Sequence, residues 1–166
     1  MIELNEPGNP ITSYRKEIRA GLLGLAVPVV IIGGWALLAP HGWYDEFPVG
    51  SGRWISSLGP YDEHLARDFG ALYLALGLLL GFAAFALDRL LVKAVLWASL
   101  VFQVPHLIFH VANTEPFSAA SNIANLALLG LGLVLTAMLL DLVSRRQSAT
   151  VSEPASIEGG IGYGTR

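Results

Sequence analysis

Four apolar runs of about twenty residues each constrain this chain more than any other feature. They cover 20–39, 64–87, 92–112, and a last stretch that begins between 118 and 122 and ends at 143. At 1.5 Å per residue, about twenty apolar residues cross a hydrocarbon layer roughly 30 Å thick. A backbone in lipid can satisfy its own polar groups only as a helix or a closed barrel, and runs of this length select the helix. Charged residues make up only 14 % of the chain, against about 25 % in soluble domains. An amphipathic soluble bundle fails on the continuity of these runs. The expected fold is therefore all-α, an integral membrane four-helix bundle whose main partner is the lipid bilayer. With no cysteine, thiolate chemistry, disulfides and cysteine-based metal sites are excluded. A formal charge of −3 gives no reason to expect nucleic acid.

The punctuation between the runs divides the chain into a segment 1–17, a membrane domain 18–143 and a tail 144–166, the last expected to be disordered because it lacks apolar periodicity. Arg15, Lys16 and Arg19 before the first run imitate a signal peptide, and Ala36-Leu37-Leu38-Ala39 looks like a cleavage region. The run exceeds a usual signal core, however, and reads as a first span with Pro28 inside it. Pro40 closes that helix. The loop that follows, HGWYDEFPVGSGRWISSLGPYDE, carries Trp43, Tyr44, Phe47 and Trp54 as headgroup-layer anchors, with a short interfacial helix as an option near 53–58. Asp62 or Glu63 is placed to cap the second span, in which Gly70, Gly77, Gly81 and Ala84 share one side. The Gly77-xxx-Gly81 spacing permits a close helix contact. Basic residues cluster before span one, between spans two and three, and after span four, so both termini are expected in the cytoplasm.

Polar residues inside the apolar runs are the functional lead. In LVFQVPHLIFHVAN (100–113), Gln103, His106 and His110 fall within roughly 60° of one another at about 100° per residue, and Ser99 and Asn113 extend the stripe. In YDEHLARDFG, His64 and Asp68 stand at i and i+4. Because spans two and three run antiparallel, Asp68 should share a depth with His106, and His64 with His110. The sharpest reading is a metal site of His64, Asp68, His106 and His110 in an outer-leaflet pocket, holding zinc or iron. Gln103 and Asn125 would then orient a ligand or substrate. A zinc-activated water could hydrolyse a lipid ester or amide, whereas iron would permit oxidation. A haem between His64 and His110 is the second option, making the chain a small electron carrier. The third is that these groups, like His41 beside Trp43, only hydrogen-bond at the interface, with Asp68 paired to Arg67.

The four short spans, the long outer loop and the segment YDEHLARDFGALYLALGLL resemble the small four-span bacterial membrane proteins of the DoxX-like group. The resemblance covers roughly 18–143. It implies a multi-pass protein of the bacterial inner membrane and, since some members are described as subunits of quinone-linked oxidoreductases, an accessory redox role beside a partner. It transfers no catalytic residue. The expected partners are a hydrophobic small molecule or lipid, and a second copy or a membrane-complex subunit.

Overall fold

The computed structural model describes residues 14–50 and 52–145. Four long helices carry the spans: α1 (Arg15–Leu38), α3 (Glu63–Ala86), α4 (Arg89–Ala112) and α5 (Ala119–Ser144). All four are long and apolar enough to cross a membrane. Among the described residues there is no strand, and the protein is an all-α membrane bundle. The later helices start where a first orphan amide finds a partner or, at Pro40, is absent. Asp62 accepts from Leu65 N, Asp88 from Leu91 N and Ser118 from Ser121 N, at 2.8–3.1 Å. Leu87 ends α3 in the left-handed conformation (φ 50°), so only Leu87 and Asp88 separate α3 from α4. Pro40 does more than close α1. It opens the seven-residue helix α2 (Pro40–Glu46), where its missing N–H costs nothing. The interfacial helix thus lies before the position considered for it, and 54–58 forms turns. The N-terminal segment up to residue 13 and the tail from 146 on lie outside the described residues.

The tightest packing joins α1 to α3, antiparallel and backbone against backbone. A methyl group built at Gly33 would stand 2.9 Å from Leu74 Cα. One at Gly70 would stand 2.9 Å from the Ala36 carbonyl carbon, and one at Gly77 2.9 Å from Val30 N. Gly70 and Gly77 are seven residues apart, and fully buried Ala84 continues the series. The contact therefore repeats every two turns and leaves Gly81 out, since nothing lies within 4 Å of a Cβ there. The expected glycine face exists, but Gly70 and Gly77 carry it.

A larger core of Ile18, Leu22, Leu80, Leu87, Val92, Leu96, Leu139 and Val143 brings all four spans together near one end. The opposite end holds a small cluster of Ala36, Trp43 and Ala66 from α1, α2 and α3. Three arginines close the helix ends. Arg19 donates to Ala84 O in the last turn of α3 (3.0 Å), Arg67 to Leu37 O in the last turn of α1 (2.6 Å), and Arg89 to Val143 O at the end of α5 (3.1 Å). A guanidinium both satisfies an orphan carbonyl and complements the negative end of the helix dipole. At the end of α4, Asn113 donates to Phe109 O from both its backbone N–H and its side-chain amide. Arg67 also pairs with Glu63, not with Asp68.

Four crossings return the chain to the side where it starts, and that side carries Arg15, Lys16, Arg19, Arg89, Lys93 and Arg145. By the positive-inside rule it is expected to face the cytoplasm. A topology reporter fused after Ser144 should give a cytoplasmic signal and one inserted near Gly50 the opposite; a periplasmic signal after Ser144 overturns the orientation. Gly70→Ala should cost about 1–3 kcal/mol by overpacking while Gly81→Ala changes stability little, measured by reversible unfolding in detergent.

Candidate functional site

In lipid, apolar contact does little to hold one helix to another, and polar groups on facing helices take over part of that task. The α4–α5 pair shows this. In its outer half the buried residues are His110 and Asn125, each 7 % exposed. Asn125 Nδ2 donates to His110 Nδ1 at 2.8 Å. An amide nitrogen can only donate, so Nδ1 accepts and the imidazole proton sits on Nε2. Closer to the cytoplasm, Gln103 Nε2 donates to Thr136 Oγ1 (3.0 Å), and that hydroxyl donates to Gly132 O (2.9 Å). Gln103 Oε1 is buried with no hydrogen-bond partner among the described residues. Ser99 donates within its own helix to Val95 O. The stripe read from the sequence is therefore real, and much of it faces α5.

Aromatic rings continue from this stripe across three helices. Trp43 of α2 stacks on Phe69 of α3 (5.2 Å between centroids), and Phe69 stacks on Tyr73 (5.0 Å). Tyr73 meets Phe102 of α4 (5.0 Å), which stacks on His106 (4.9 Å). His106 then meets His110 edge-on at 4.8 Å, and Phe117 lies beyond at 6.0 Å. These spacings are those of favourable aromatic pairs. Tyr73, Phe102 and His106 are each half-buried. Unlike Gln103 and His110, neither the Tyr73 hydroxyl nor the His106 ring takes part in a hydrogen bond among the described residues. Phe69, Tyr73 and Phe102 are members of this wall that sequence reading passed over, and of these Tyr73 carries a polar group. Its spacing from Phe69 was visible, but nothing in the sequence indicated that this face meets α4.

The structure does not bring the two histidine pairs together. At about 100° per residue, Asp68 lies nearly opposite Gly70 on α3. The glycine face packs on α1, and Phe69 and Tyr73 face α4, so His64 and Asp68 point away from both. Their side chains are 88 % and 60 % exposed, and they pair with each other at 3.4 Å. His41 behaves alike, pairing with Asp45 at 3.2 Å and stacking on Tyr61 at 4.4 Å near the outer surface. Among the described residues no three His, Asp or Glu side chains converge on a point that could hold a metal ion. His64, Asp68, His106 and His110 thus do not fit a zinc or iron site, and no hydrolytic or oxidative step is derived through one. Haem between His64 and His110 fails for a related reason: one ring is exposed, and the other is buried against Asn125, His106 and Phe117.

No family model matches the chain, and no curated protein or solved structure matches it at a significant level. The site therefore rests on its own geometry. Gln103→Leu and Asn125→Leu should each weaken the bundle by about 0.6–1.7 kcal/mol, the range measured for polar contacts between membrane helices. Asn125→Leu should cost the more, because it leaves the buried His110 Nδ1 without a donor. Unfolding in mixed micelles would check both, and unchanged stability in both would remove these contacts from the account of how α4 and α5 associate.

Proposed function

We propose that this protein is a non-catalytic accessory subunit of the bacterial inner membrane that binds a planar hydrophobic carbonyl compound, of quinone type, at the wall formed by Tyr73, Phe102 and His106. The observation that carries this reading is the pair of unused hydrogen-bonding groups packed against one aromatic ring. Tyr73 packs on Phe102 at a tilt and His106 stacks on it, and neither polar group is hydrogen-bonded to the rest of the described chain. A polar group left unbonded in lipid is unfavourable, so such groups point to a ligand or a partner.

The chemistry suits both oxidation states of a quinone. A neutral imidazole donates through one nitrogen and accepts through the other, and a phenol also does both. Each can donate to a quinone carbonyl or accept from a quinol hydroxyl. The ring would lie against Phe102, gaining the stacking that planar aromatic surfaces make, and the isoprenoid tail would remain in the bilayer. Electron transfer would belong to a partner subunit, in keeping with the resemblance to DoxX-like proteins.

Tryptophan quenching by a short-chain ubiquinone analogue, titrated into protein in nanodiscs, tests the proposal. Binding should be saturable, and His106→Leu or Tyr73→Phe should weaken it about tenfold, the equivalent of one lost hydrogen bond. His64→Ala should bind like the wild type. Quenching that is linear in quinone and identical in all four proteins would falsify the site.

A further inference from the structure

An apolar groove of about 340 Å³ runs along the seam between α1 and α3, on the outside of the bundle. Leu23, Val27 and Ile31 of α1 form one wall, Leu78, Phe82 and Phe85 of α3 form the other, and Gly77 and Gly81 lie between. Gly77 is already used by α1, whose Val30 N would meet a Cβ there at 2.9 Å. Gly81 touches nothing within 4 Å, so its missing side chain leaves room that no part of the described chain takes up.

Depth and charge indicate what fills it. From residue 23 to 31 of α1, and from 77 to 85 of α3, the groove spans eight residues, about 12 Å along each helix. That is close to one leaflet's share of a hydrocarbon core roughly 30 Å thick. One turn before Leu23, on the same face of α1, stands Arg19. Its Nε donates to Ala84 O at 3.0 Å, one residue before the groove residue Phe85, which ties Arg19 to the cytoplasmic end of the groove. Arg15 lies a further turn toward the cytoplasm.

We infer that the α1–α3 groove holds one acyl chain of an anionic phospholipid of the cytoplasmic leaflet, with its phosphate on the Arg19 guanidinium. The Ala84 carbonyl fixes the plane of the guanidinium, and a planar fork is the geometry that binds a phosphate through two parallel hydrogen bonds. Gly81 lets the chain lie against the α3 backbone, and Phe82 and Phe85 keep it from sliding out sideways. This site is on a different face from the Tyr73–His106 wall and does not depend on it.

Native mass spectrometry of the full chain, released from micelles containing equal phosphatidylglycerol and phosphatidylcholine with identical acyl chains, tests the inference. Wild type should retain one lipid per protomer with about a fivefold preference for phosphatidylglycerol, the weight of one basic residue at an anionic headgroup. Arg19→Gln should lose the preference while still retaining lipid. Gly81→Leu, which has room for its side chain and should fold normally, should lose retention of both lipids. Equal retention of the two lipids by wild type, or undiminished phosphatidylglycerol on Gly81→Leu, overturns the inference. A lipid-free dimer that Gly81→Leu converts to monomer would also overturn it, assigning the groove to a second copy.

Discussion

The approach of two helix backbones at Gly33, Gly70 and Gly77 sets the geometry of the rest of the bundle. Between lipid-embedded helices there is no apolar surface to remove from water, so close van der Waals contact must supply the attraction, and it is strongest where side chains are absent. Because the contact recurs every seven residues along α3, it holds α1 and α3 in one register over most of their length. That register brings Arg67 to the last carbonyls of α1 and Arg19 to those of α3. A slip of α3 by one turn would break both caps and bring Leu74 or Ala66 to the place of Gly70. The same register leaves Gly81 facing the seam, with room beside it that α1 does not fill.

The second pair of helices is held by different means. Near the cytoplasm α4 and α5 join the common core through Val92, Leu96, Leu139 and Val143. Farther out they rely on Gln103 with Thr136 and His110 with Asn125. These residues have structural tasks, and that changes how the polar stripe is to be read. A polar group in a membrane span marks either a helix contact or a binding surface. Hydrogen-bond accounting separates the two: His110 and Asn125 satisfy each other, whereas His106 and Tyr73 have aromatic neighbours but no bonding partner in the described chain. Gln103 belongs to both classes, with its amide nitrogen engaged and its oxygen buried and unmatched.

Much of this was legible in advance where the cause is local. The spans follow from run length, and the start of the second from Asp62, because a capping side chain acts within three residues of its own position. The shared face of Gln103 and His110 follows from helical phase, as does that of Asn125 and Thr136. The metal cluster failed where phase was not enough. His64 and Asp68 were placed at the correct depth, but depth does not say which way α3 is turned. Its rotation is decided by the glycine face seeking α1, and that turns both residues outward, near the headgroup layer where water can solvate them. Arg19 and Arg89 were read only as markers of the cytoplasmic side. Their role as caps on neighbouring helices depends on which helix ends lie beside them.

The sequence by itself determined that this chain is a four-span membrane protein and which residues share a helical face. Each of these depends on quantities that a single helix possesses alone: length, hydropathy, phase and flanking charge. Tertiary structure decided which face meets which. It chose Gly70 and Gly77 over Gly81 as the contact, and it separated His64 and Asp68 from His106 and His110. It also joined Tyr73 to Phe102 and His106 in one wall. The reason is that a helix in lipid pays almost no penalty for exposing an apolar side, so hydropathy does not orient it. Its rotation is fixed only when small residues, polar bonds and terminal carbonyls on several helices are satisfied together.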